Sequence, residues 1–175
     1  SGPLVISDGS DNPGGGAPCD STYFLTRLLE RDERNWAIGF LYDPGAVRIA
    51  VEAGLGSQLN LRVGGKTCAL SGQPVDISGR VSGVALGASM SFSGISFAVG
   101  DAVAIDLGDN RVLGLISQRN QTYSRSLFDE LGVSLADKQA VVVKSSQHFY
   151  TSFADIAREV VYAESPGVVT NDFKT

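Results

Sequence analysis

One stretch restricts the fold of this chain more than any other: Asp11-Asn12-Pro13-Gly14-Gly15-Gly16-Ala17-Pro18-Cys19-Asp20-Ser21-Thr22. It lies between an apolar run with strand character, Leu4-Val5-Ile6, and an amphipathic run from Tyr23 to Arg31 with helix character. A glycine-rich strand-to-helix junction belongs to layered α/β folds, and its backbone N–H groups can converge on an anion or polar group. Three successive glycines carry no Cβ, so the chain can bend tightly and approach a ligand closely. Asp8 and Asp11 place acceptors beside the bend. The same residues also suit a plain turn that feeds a helix capped by Asp20, Ser21 or Thr22. Both readings stand on residue type alone.

Periodicity extends the α/β pattern on both sides of the middle. Phe24, Leu25, Leu28 and Leu29 share one helical face, opposite Arg27, Glu30 and Arg31. Trp36 to Tyr42 reads as a buried strand. Asp43-Pro44 then opens a second helix, with Asp43 as N-cap, Pro44 at the first helical position and Gly54 as the stop. Near the end, Ser124 is placed to cap a short helix holding Leu127, Phe128 and Leu131, and Ala140 to Val143 is an apolar strand. Phe153, Ile156, Ala157, Val160 and Val161 fall at helical spacing and predict a final amphipathic helix. The tail after Pro166 reads as loose.

Between these parts the chain turns to Gly, Ser and Val. Leu59-Asn60-Leu61-Arg62-Val63 alternates as a half-buried strand does, and Val75 to Val84 contains another strand. Ala102 to Leu107 and Arg111 to Ile116 flank Gly108-Asp109-Asn110, a hairpin signal. The expected fold is therefore one α/β domain over residues 1–175: a mixed sheet flanked by helices, with α/β parts at about 3–57 and 122–165. An antiparallel β insertion fills about 58–121, with bends and bulges where glycines fall.

Composition excludes several classes of partner. The net charge is −5 and no Lys/Arg run occurs, which argues against nucleic acid. No apolar stretch approaches the roughly 18 residues of a membrane helix. The first residues lack the basic segment of a secretory signal. Cys19 and Cys68 fit no metal or redox spacing, so free thiols and a cytoplasmic setting are expected.

The chemistry-bearing groups are few. A zinc site takes three or four His, Cys, Asp or Glu ligands, and this chain has one histidine, His148. No metal site is expected here. Lys144-Ser145-Ser146-Gln147-His148-Phe149 follows an apolar strand, where ligands bind in α/β sheets. Lys144 can pair with a substrate carboxylate or with Asp8 or Asp11, and His148 can exchange a proton or hydrogen-bond a carbonyl. If the first and last core strands pair in parallel, Asp11-Asn12 meets Lys144-His148. By residue type alone, Ser145 or Ser146 as a helix cap, with His148 packed in the first turn at the domain surface, explains this segment better than a site does. Gln118-Arg119-Asn120-Gln121 reads as a solvated turn. No Gly-x-Ser-x-Gly elbow sits between a strand and a helix, and neither Gly14–Gly16 nor Gly64-Gly65-Lys66 completes a P-loop.

The string Asp-Asn-Pro-Gly-Gly-Gly-Ala-Pro-x-Asp-Ser-Thr from Asp11, together with Val141-Val142-Val143-Lys144-Ser145-Ser146-Gln147-His148-Phe149, resembles the C-terminal domain of the microcystinase C family of zinc metallopeptidases. Gly64-Gly65-Lys66 and Ser117-Gln118-Arg119-Asn120-Gln121 fit the same resemblance, which runs from about Pro3 to Gly167. Cys19 departs from it, since family members often carry glycine or another small residue there. The resemblance implies a two-domain hydrolase of peptide or amide bonds. The zinc would be bound by an N-terminal domain absent from this chain, which is this domain's partner. The present domain would close the cleft and position a peptide-like substrate, and an oligomer stays open. The expected catalytic groups are Asp11 and His148. Asp8, Asn12, Gly14, Gly15, Gly16 and Lys144 are expected to bind substrate. The alternative is a non-catalytic domain that binds an anion or carboxylate, or serves only as a structural partner.

Overall fold

A computed structural model describes residues 2–170. The first half alternates β1 (Leu4–Asp8), α1 (Tyr23–Glu30), β2 (Trp36–Tyr42) and α2 (Pro44–Ala53). Four strands follow: β3 (Gln58–Val63), β4 (Val75–Phe92), β5 (Ile95–Asp106) and β6 (Val112–Ile116). The chain ends through α3 (Ser126–Glu130), β7 (Ala140–Val143), α4 (Tyr150–Phe153) and β8 (Glu159–Ala163). All eight strands form one mixed sheet in the order β3-β4-β5-β6-β2-β7-β1-β8. The antiparallel meander β3 to β6 is continuous with the parallel half, because β6 pairs with β2 in parallel. Register shifts along the β4–β5 pair supply the bends that the glycine content led us to expect.

Strand alternation builds a core on each face of the sheet. Val5, Ala37, Val141 and Val143 face α3 and α4 through Leu127, Phe128, Phe149 and Phe153. Ile38, Leu41 and Val142 face α1 and α2 through Leu25, Ala46, Val47 and Ala50. α2 starts as its sequence dictates: the Asp43 carboxylate accepts from the Ala46 N–H, Pro44 opens the first turn, and Gly54 ends the helix with φ of 85°. The β5–β6 turn places Asp109 and Asn110 at φ of 52° and 57°, the left-handed pair a tight hairpin needs.

One expectation is corrected. The helix expected across Phe153 to Val161 stops after the short α4, and Glu159–Ala163 becomes an edge strand parallel to β1, with Val5 opposite Val160 and Ile6 opposite Val161. The β-branched pair Val160-Val161 suits a pleated edge, and the added strand supplies hydrogen-bond partners for the outer side of β1. The helical spacing that the apolar residues show is equally compatible with one turn, a break and a strand. The tail expected to be loose is partly tied down: the Val169 N–H donates to the Ser10 carbonyl at 3.1 Å. Its last residues, 171–175, lie outside the described part.

Glycine in mid-strand has a packing cause at Gly39. A Cβ built there would lie 2.2 Å from Cζ of the buried Phe128. Gly39→Ala is therefore expected to cost about 1–3 kcal/mol, since the ring has to move within a filled core. Urea unfolding of the variant measures it; an unchanged midpoint would show that the ring yields freely.

Candidate functional site

Parallel pairing of β1 and β7 sets Ser7 opposite Val143, so the two strands finish side by side and release Asp8 and Lys144 at the same sheet edge. Lys144 is completely buried, and its ammonium donates to Asp8 Oδ2 at 2.7 Å and to the Ser21 carbonyl at 2.8 Å. It also lies 3.0 Å from Asp11 Oδ2. The carboxylates are satisfied on their other sides. Asp8 Oδ1 accepts from the Ser165 hydroxyl at 2.7 Å. The two oxygens of Asp11 accept the backbone N–H groups of Cys19 and Ser21, each at 2.8 Å. This ties both flanks of the glycine loop to the sheet.

Burial drives the electrostatics of this cluster. Desolvation alone would push the Lys144 ammonium down, but Asp8 and Asp11 outweigh it and hold its pKa above the ordinary lysine value. Burial lifts the Asp11 carboxyl above its ordinary value against the pull of Lys144, as expected where two carboxylates share one cation in a dry site. Burial also pushes the Cys19 thiol far up, with Asp11 adding to the effect, so Cys19 is a packed, unreactive group. Cys19 sits at φ of 68°, a conformation glycine adopts without strain, which gives a physical reason for a small residue at this position.

The loop itself is folded on its own donors. Asn12 Oδ1 accepts from the Gly14 N–H at 3.0 Å, the Asn12 carbonyl from Gly15 and Ala17, and the Pro13 carbonyl from Gly16. The amides that were expected to converge on an anion are thus spent within the turn. Arg119 clamps the loop from outside by donating to the Ala17 carbonyl at 2.7 Å. Gly14, Gly15 and Gly16 remain exposed.

A second, outer layer joins the loop to the segment after β7. Asn12 donates to Ser146 Oγ at 2.5 Å. Gln121 accepts from the Ser145 hydroxyl at 2.9 Å and faces His148 Nδ1 at 3.2 Å. The His148 ring is exposed on one side and packs on Phe92 and Tyr123, with centroids at 4.8 and 5.9 Å. Ser145 and Ser146 are not helix caps; α4 has no side-chain cap. Gln121 and its neighbour Thr122 are buried, so the stretch read as a solvated turn is partly an interior link. Its residue types alone held no sign of this.

The structure thus brings Gly14, Gly15, Gly16 and His148 together at the surface, with Asn12 buried just beneath the glycines and Asp8, Asp11 and Lys144 buried deeper. The buried three, expected at a substrate, are engaged with one another beneath the loop. Asp20 and Asp43, which the sequence reading treated only as caps, anchor the other glycine pair. Asp20 Oδ2 accepts from the Lys66 and Thr67 N–H groups, and Asp43 Oδ2 from the Gly64 N–H and the Lys66 ammonium. A cleft of about 810 Å³ lined by Gly2, Pro3, Arg125 and Asp155 lies where β1 begins, at the far end of the sheet from these groups.

The donor set does not suit zinc. Among the described residues no group of three or more His, Cys, Asp or Glu side chains is arranged to hold a metal ion. Between the Asp8 and Asp11 carboxylates the Lys144 ammonium already fills the cation's place. No described helix is long and apolar enough to cross a membrane.

Comparison with known proteins agrees with this architecture. The chain is 38% identical over 164 residues to Microcystinase C from Sphingomonas sp., covering 93% of this chain and 32% of that protein. Its fold matches the crystal structure of a candidate metallopeptidase from Mesorhizobium sp. BNC1 with a TM-score of 0.82 and 26% identity, covering 95% of this chain and 34% of that one. The chain therefore spans about a third of the length of each relative. The profile of the MlrC C-terminus family matches residues 6–175, and the chain belongs to that family.

Proposed function

We propose that this chain is the substrate-positioning, cleft-closing domain of a peptidase-like hydrolase whose metal ligands lie in a separate, metal-binding domain. The observation that carries the reading is the two-layer edge at the ends of β1 and β7. An inner ion network of Asp8, Asp11 and Lys144 ties down the loop that carries the buried Asn12 and the exposed Gly14–Gly16, beside the exposed His148. Catalytic constellations need that kind of support, because misplacement by an ångström costs orders of magnitude in rate. The lengths of the relatives supply the rest of the argument: about two thirds of each lies outside the region this chain matches.

In this reading His148 hydrogen-bonds the substrate or exchanges a proton with it, and the bare Gly14–Gly16 backbone lets an extended peptide approach closely. Asn12 sets the loop against Ser146. Asp8, Asp11 and Lys144 act through the loop they hold and do not touch substrate. Zinc is the metal the family resemblance implies, and it is assigned to the partner domain. The rival reading as an anion-binding module loses its main donors, because the loop amides are satisfied internally.

The test is a chimera. Microcystinase C lacking its matching third, the same protein with this chain in that place, and this chain alone are compared for peptide hydrolysis and bound zinc. Hydrolysis restored by the chimera, with neither activity nor stoichiometric zinc in the isolated chain, is the expected result. Hydrolysis with tight zinc binding by this chain alone would overturn the division of labour.

A further inference from the structure

Gln121 lies after β6, remote in sequence from every group expected at the site, yet it touches both halves of the outer surface. Its side chain is buried. Oε1 accepts from the buried Ser145 hydroxyl at 2.9 Å and faces His148 Nδ1 at 3.2 Å. The amide nitrogen lies against Gly14: a Cβ there would come within 2.5 Å of it. Gly14 is thus the residue that makes room for Gln121, and Gln121 is the bridge from the glycine loop to the histidine.

We infer that Gln121 is a positioning residue that locks His148 in the tautomer carrying its proton on Nδ1 and presents the lone pair of Nε2 outward. The argument is one of valence. An amide oxygen can only accept, so the ring nitrogen facing it must donate, and the other nitrogen of the neutral ring is then unprotonated. The structure sets the amide oxygen toward both the ring and the Ser145 hydroxyl, and Phe92 and Tyr123 restrain the ring's rotation. Free imidazole side chains in water favour the opposite form, with the proton on Nε2, so the lock reverses an intrinsic preference. Fixing one ring nitrogen through a hydrogen bond is how proteins prepare the other as an acceptor, base or ligand. The inference deepens the role proposed above for His148 and rests on it for its functional meaning.

The chain has its own two-sided core and a single histidine, so nitrogen NMR on the labelled chain reports this ring alone. With the ring neutral, Nδ1 is expected at the protonated position and Nε2 at the unprotonated one. Gln121→Leu should lose that signature and revert to the solution preference. Gln121→Glu should keep it, because a carboxylate also only accepts. A wild-type spectrum with the proton on Nε2 would overturn the lock, as would a Gln121→Leu variant that keeps the wild-type pattern. If Gln121→Leu does not fold, the wild type and Gln121→Glu still decide. A locked ring in a chimera that cannot hydrolyse peptides would leave the lock standing and remove the functional reading, so the two failures are distinguishable.

Discussion

Lys144→Met is expected to destabilise the fold by about 3–5 kcal/mol, the range found when one partner of a buried ion pair is removed. The size follows from what stays behind. Asp8 and Asp11 would both remain in a dry interior with no cation between them. Adding Asp8→Asn to Lys144→Met should recover part of the loss, because it removes one of the two stranded charges while Asp11 keeps both oxygens for the Cys19 and Ser21 N–H groups. Urea unfolding of the single and double variants measures both effects. A loss below about 1 kcal/mol for Lys144→Met, typical of an exposed pair, would show that the network is not dry. The pH dependence follows from the same groups. Lys144 has a folded-state pKa above its unfolded one, so its contribution is complete below about 10.4 and is lost as pH rises through the folded value. Lys144→Met should therefore flatten the alkaline limb of the stability curve. Asp11 is also raised, so its contribution is largest in acid and declines as pH climbs from the ordinary carboxylate range through its folded value. Acid unfolding of the wild type should not originate at Asp11.

In the chimera, His148→Ala is expected to lower kcat by roughly 10²- to 10⁴-fold, the usual worth of a positioned acid–base group. KM and thermal stability should change little, because the ring is exposed and its aromatic neighbours pack on one another without it. His148→Gln separates two roles. A retained hydrogen bond would restore part of the rate if the ring only binds a carbonyl, and none of it if the ring moves a proton. Unchanged kcat in His148→Ala would remove this residue from the site.

Much of this architecture was legible because it is written in local signals. The glycine bend between Leu4-Val5-Ile6 and the Tyr23 helix, the Asp43-Pro44 helix start and the Gly108-Asp109-Asn110 turn all depend on residues within a few positions of one another. The meeting of Asp11 with Lys144 needed only the assumption of parallel pairing. Other features depend on non-consecutive strands and escaped the sequence. The Val160-Val161 pair has helical spacing with Phe153, and only the open flank of β1 makes it a strand. Asp8 and Asp11 look like ligands until the burial of Lys144 between them is known. Gln121 looks like any loop amide until β6, β2 and β7 are laid side by side, which sets it near Ser145 and His148.

The placement of β1 between β7 and β8 has a kinetic consequence. The meander of β3 to β6 is made of near neighbours and can zip as soon as it leaves the ribosome. β1 emerges before it and has no partner yet. Asp8 waits for an ammonium 136 residues downstream. Closing so large a loop is slow, so the first strand of this domain is among the last to be seated. Until then an apolar strand and two acidic side chains lack their partners, and the glycine bend acquires its final shape only after β7 has emerged.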